Sequence, residues 1–323
     1  MTISAYRPIL LKFQSLIALF VLCLAISLLS DKFLTVNNGW NVLRQISVNI
    51  CISVGMTFVV LTAGIDLSVG SVLAFCGALT AGLLKNGIQF PQGDLYIGFT
   101  LMGVILVGIA TGSLLGTFNG WVITRFKVPP FVGTLAMLTI ARGFTLLYTQ
   151  GFPISGLGDQ FSYLGTGWLL GIPVPVWISG IVVVIAILIT NKTRLGRYIY
   201  AIGGNESASR LSGINIKKVK IIVYSIAGGL AALGGLIVTS RLDSAQPNAG
   251  NSYELDSIAA VVIGGTSLSG GKGSIQGTVL GAIIIGVLNN GLVLLNVSPF
   301  WQQVVKGMVI LLAVIIDKSN SKK

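Results

Sequence analysis

Two carboxylates fall among apolar residues, where a charge is expensive to hold. Asp66 stands in Thr62–Val72 (TAGIDLSVGSV) with Ser68 two positions on, and Asp256 stands in Tyr253–Ile258 (YELDSI). An ionisable group at membrane depth is a candidate for a solute path or an ion site. The same residue also has a structural use, because an aspartate near a helix start accepts free N–H groups and suits the helix dipole. The order Gly-Ile-Asp-Leu-Ser predicts a helix break followed by a new helix. Arg142, in Ala141–Phe144 (ARGF), requires either a carboxylate partner or a polar cavity, and pairing is the expectation. Asp66, Ser68, Arg142 and Asp256 are therefore the candidate pathway or gate residues.

Other chemistries find little support. Gly264–Ser274 (GGTSLSGGKGS) invites comparison with a phosphate loop, but Thr266 stands six before Lys272 where glycine is needed, and Gly273 follows the lysine. It reads as a flexible turn. The chain has no histidine, which removes the usual general base and metal ligand. Cys23, Cys51 and Cys76 lie in apolar runs without metal-ligand spacing. Glu254 and Asp256 are the only close pair of carboxylates set beside an apolar run. An enzyme is not expected, nor is a cofactor in this chain. If the work is driven by ATP, the nucleotide and its Mg must be bound by a partner subunit.

The elements that must position these residues are membrane helices. The chain has 323 residues, 53% of them hydrophobic and 9% charged, against about 25% charged in soluble domains. Ten apolar segments lie near 14–30, 46–63, 68–84, 96–123, 129–150, 168–190, 221–240, 256–264, 274–296 and 301–316. The runs do not alternate as barrel strands would, so the fold class is an all-α polytopic membrane protein. The segment at 256–264 is too short to cross alone; it is a half-helix or re-entrant piece, or it extends back through the polar loop before it. Gly108, Gly112, Gly116 and Gly120, and again Gly273, Gly277 and Gly281, recur at helical spacing and predict close packing within one bundle. The acid before a small-residue run at Asp66 is echoed at Asp256, which suggests two related halves with short or broken helices near the centre.

Charge sets an orientation. With both termini inside, 15 of the 21 Lys and Arg fall inside, 4 outside (Lys32, Arg44, Lys85, Arg241) and 2 within spans (Arg142, Lys306). This bias also explains the net charge of +12 without nucleic acid. The largest inner loop, 191–220, carries seven cations between Lys192 and Lys220 and one acid, Glu206. A helix over Arg194–Ile202 ended by Gly203 and Gly204, then a second helix capped by Asn205, begun at Glu206, running through Arg210 and stopped at Gly213, would make a docking lever for another protein.

These stretches are similar to the membrane permease subunits of bacterial ATP-driven sugar importers. The likeness is carried by Val54–Val72, Arg194–Asn215, Ser244–Asn251 and Tyr253–Ser274 and covers nearly the whole chain. It implies one permease domain over 1–323 in the inner membrane, working beside a second permease copy. It further implies a cytoplasmic ATP-binding subunit, a periplasmic sugar-binding protein, and ribose or a related sugar as solute. Gly203, Gly204, Asn205, Glu206, Arg210 and Gly213 would occupy the segment that engages the ATPase. The match to the Glu-Ala-Ala type of coupling loop is loose there, since Ser207 replaces the first alanine and Gly213 lies seven residues after Glu206. A secondary transporter using Asp66 or Asp256 for a coupling ion, and a passive channel or scaffold, are the competing readings.

Overall fold

A computed structural model describes residues 7–89 and 96–321. Its thirteen helices in chain order are α1 (Arg7–Leu29), α2 (Val36–Leu61), α3 (Val69–Asn86), α4 (Leu101–Phe126), α5 (Pro130–Thr149), α6 (Asp159–Thr166), α7 (Val174–Lys192), α8 (Arg194–Gly204), α9 (Glu206–Leu211), α10 (Ile216–Leu242), α11 (Tyr253–Ile263), α12 (Ile275–Leu294) and α13 (Pro299–Ser321). Three antiparallel two-residue pairs trim the loops: β1 (Ile88–Gln89) with β2 (Tyr96–Ile97), β3 (Ile154–Ser155) with β6 (Ser244–Ala245), and β4 (Trp168–Leu169) with β5 (Ile172–Pro173). Among the described residues, seven helices, α2, α3, α4, α5, α7, α10 and α12, are long and apolar enough to cross a membrane.

All ten expected segments are helical, with moved boundaries. The second begins at Val36 rather than 46, because Thr35 caps it by accepting from the Asn38 N–H and the polar residues Asn37, Asn38, Asn41 and Arg44 ride inside the helix. Arg44 is thus no loop residue; its guanidinium lies 4.9 Å from the Trp168 ring centroid. Trp168 itself belongs to the β4–β5 hairpin, so the sixth span starts at Val174. Lys322 and Lys323, counted inside, lie outside the described residues, as do the side chains of Arg7, Lys12 and Lys318.

α10 is the central post. Its glycines and alanines let three neighbours approach: Gly55 of α2 packs on Ala227, Leu73 of α3 on Gly235, and Gly112 and Gly116 of α4 on Gly228 and the Tyr224 carbonyl. The first glycine ladder is therefore a seam within the bundle, as expected. In the second ladder Gly277 and Gly281 pack on Gly264 and Ala260 of the α11 region, but Gly273 has φ +149 and precedes the helix. Phe58, Met56, Tyr224 and Leu236 fill the core around this post. Leu114, Leu147, Val184 and Ile185, on α4, α5 and α7, stay exposed and form the apolar outer wall.

The contacts fix the direction of each span. The Gly271 N–H donates to the Leu61 carbonyl at 3.0 Å, and a Cβ on Gly203 would strike both groups. The end of α2, the end of α8 and the 264–274 loop thus share one end of the molecule, here the lower. Lys85 Nζ donates to the Ser155 carbonyl at 2.7 Å, and Ser155 pairs with Ser244, which gathers these at the upper end. The chain therefore crosses the whole molecule between Ser244 and Gly271. It does so through the run of turns at 246–252 followed by α11, the third of the three alternatives for the short segment.

Candidate functional site

Two non-helical stretches, 62–68 and 246–252, penetrate the bundle from opposite ends, and the first turn of α3, which follows one, meets the other at Gly70 and Gly250, where a Cβ on either would strike the other's carbonyl. With α2 antiparallel and α3 parallel to α10, the helical rise puts the start of α3 about 15 Å above the end of α2. The same rise puts Gly250 about 15 Å below the upper end of α10. That is about mid-depth of a bilayer core. Backbone that is not helical there must find partners inside the protein, and the singled-out residues supply them.

Asp66 is 1% exposed. Its Oδ1 accepts from the Ser68 N–H at 2.9 Å and from the Ser68 hydroxyl at 2.6 Å. Asn119 of α4 donates to Ser68 Oγ at 3.0 Å, and Thr134 of α5 accepts from the Leu67 N–H at 3.1 Å. The break-and-restart expected from the sequence is present, with Asp66 tying its turn together. Ser68 links that turn to α4.

Arg142 does not pair with a carboxylate. Its NH1 donates to the carbonyls of Pro247 at 2.5 Å and Ala249 at 3.0 Å. The physical reason is that a run of turns at this depth leaves carbonyls open, and a guanidinium can hold two at once. Asp256 lies in the first turn of α11, 4% exposed, and its Oδ2 accepts from Lys306 Nζ of α13 at 2.9 Å and from Asn289 of α12 at 3.2 Å. A single lysine within an apolar span was the available sequence signal for this partnership. Asn119, Asn289 and Asn290 are all buried helix-to-helix hydrogen bonders, the last with Asn38 at 2.9 Å. The four expected residues are thus not one cluster: Asp66 and Ser68 secure the first break, Arg142 the second, and Asp256 ties α11 to α12 and α13.

At the lower end α8 and α9 form the expected helix pair. Thr193 accepts from the Gly196 N–H at 3.2 Å, Asn205 caps α9 by accepting from the Ala208 N–H at 2.9 Å, and Gly213, at φ +82, follows its last turn. α8 ends at Gly204, two residues later than expected, so both glycines are its last helical residues and Asn205 is the cap. Gly203 is small because α8 rests against Leu61 and Gly271. Glu206 bridges two cations, Lys220 at 2.7 Å and Arg210 at 3.2 Å. The Lys220 hydrogen bond, with both positive charges, holds its carboxyl below the usual range. Sequence reasoning missed Tyr200, whose hydroxyl donates to the Gly273 carbonyl at 2.9 Å and fastens α8 to the 264–274 loop.

Residues 39–314 match the family described as branched-chain amino acid transport system / permease component. The chain belongs to this permease family. It is similar to the ribose import permease protein RbsC of Haemophilus influenzae, 52% identical over 94% of this chain and 92% of that one. The Bacillus subtilis protein of the same name is 50% identical over 96% and 94%. The D-allose transport system permease protein AlsC of Escherichia coli is 40% identical over 92% and 88%. No solved structure matches the chain. The permease is an all-α, multi-pass membrane protein, and the relatives named for sugars span nearly its whole length.

Proposed function

We propose that this permease chain is the membrane subunit of an ATP-driven importer that moves ribose, or a closely related sugar, inward by alternating access. A separate subunit binds ATP and Mg, and a periplasmic binding protein delivers the sugar. Two permease copies flank the path, with both termini, α8 and α9 in the cytoplasm of an inner-membrane system. Residues 191–220 form the coupling segment within one permease domain spanning 1–323.

The observation that carries this reading is the seating of α8. A basic helix pair displayed at one end rests by Gly203 and Tyr200 on the end of α2 and on the loop leading from α11 to α12. A push on α8 is thereby delivered to the two elements that border the mid-depth breaks. A nucleotide can drive such a shift only by favouring one arrangement over the other. Of the two acids that the ion-coupled alternative would use, Asp256 is occupied by Lys306 and Asn289, and Asp66 is tied to Ser68.

The test is ribose uptake in cells lacking their own ribose permease and supplied with this chain, its native ATPase and its binding protein. Uptake that disappears with a catalytically dead ATPase is the expected result. Uptake indifferent to the ATPase would overturn the proposal, and ATPase-dependent uptake of another sugar alone would replace the solute.

A further inference from the structure

We infer that Asn248, Asn251 and Gln303 line the solute path and bind the hydroxyls of a neutral monosaccharide; the inference deepens the importer reading and rests on it. The stretch 246–252 has two sides. Its inner side is held by Arg142 through the Pro247 and Ala249 carbonyls and by Gly250 against Gly70. Its other side exposes Asn248 and Asn251, and Gln303 of α13 is exposed nearby. Two notches open there, of about 320 Å³ and about 290 Å³, and both are lined by Asn251; Gln303 and Lys306 line the second.

Depth makes this informative. The stretch descends about 15 Å below the upper end of α10, where lipid does not accept exposed amides. Exposed apolar residues that suit lipid lie on α4, α5 and α7, and on α13 at Val304, Met308 and Leu311, which line neither notch. The amide face therefore looks onto a polar space. Its chemistry selects the occupant. A carboxamide offers both donors and acceptors without charge, which matches a hydroxyl that both gives and receives. Lys306 is engaged by Asp256, so the notch along α13 offers no unneutralised charge to favour an ionic solute, and the other carries one cation, Arg241. Leu255 and Val238 supply apolar surface for a sugar's C–H face.

The experiment uses the permease with its ATPase and binding protein in proteoliposomes, in a Cys23→Ser background, with Asn251→Cys, Gln303→Cys and the mid-depth wall residue Leu114→Cys made singly. A charged, membrane-impermeant maleimide is the probe. Asn251→Cys and Gln303→Cys are expected to label, more slowly when ribose-loaded binding protein is present, while Leu114→Cys stays inert. Asn251→Ala and Gln303→Ala are expected to lower ATP-driven ribose uptake about tenfold with ATP hydrolysis retained, the loss of one good hydrogen bond. Labelling as poor as at Leu114→Cys overturns the inference, as do alanine variants that import at the unsubstituted rate. Absence of any ATP-driven ribose uptake by the unsubstituted complex is a separate result that defeats the importer reading, and the labelling pattern still reports on the amide face.

Discussion

Lys306 and Asp256 form an ion pair with the acid 4% exposed, so removing one partner strands a charge away from water. Lys306→Met is expected to destabilise the permease by about 3 kcal/mol, seen as a lower thermal midpoint in detergent, and adding Asp256→Asn should recover most of the loss. Glu206 behaves differently because it is 42% exposed. Its carboxyl titrates lower folded than unfolded, so its stabilisation is complete above the ordinary carboxylate range and fades as pH falls through the depressed value. At such exposure it contributes about 0.5 kcal/mol. The thermal midpoint of Glu206→Gln should accordingly differ from that of the unsubstituted chain at neutral pH and converge with it in acid. Glu206→Lys is expected to reach the membrane in normal amount yet import no sugar; normal uptake would count against α9 as a coupling element. Asp66 and the Asn205 cap were legible in the sequence because each acts on backbone within three residues of itself. Arg142 was not, since its partners are carbonyls 105 and 107 residues away, on a stretch whose depth no local pattern announces.

Among the elements, the α4–α10 seam sets what the bundle tolerates. A side chain at Gly116 would enter the space of the Tyr224 carbonyl, whereas a Cβ at Gly143 meets nothing within 4 Å. Gly116→Leu is expected to destabilise by about 3 kcal/mol or more, and Gly143→Ala to leave the amount of folded protein in membranes unchanged. The ladder was readable because four-residue spacing survives in a long helix. Gly273 misled the same reading, because spacing cannot tell a helical glycine from one at φ +149 in the turn before it. The start of α2 and the β4–β5 hairpin were hidden for related reasons. Hydropathy reports apolar content, and neither a polar helix start nor an apolar hairpin matches what it detects.

Across the whole molecule, the seat of α8 and the mid-depth crossing are joined by the 264–274 loop and α11. Tyr200→Phe removes the hydroxyl bond to Gly273 and should reduce sugar imported per ATP hydrolysed while leaving hydrolysis intact, measured on the reconstituted complex. The all-α membrane class followed from composition; how 243–263 completes its crossing required contacts distant in sequence, such as Gly70 with Gly250. That crossing also works as a spacer. The stretch 246–252 is a run of turns with left-handed backbone at Gly250 and Ser252, so its length and its turn geometry together set where α11 begins. Removing one residue would shift and rotate the start of α11. Asp256 would then slide out of reach of Lys306, which makes the length of that run of turns, as much as its composition, a property the protein has to keep.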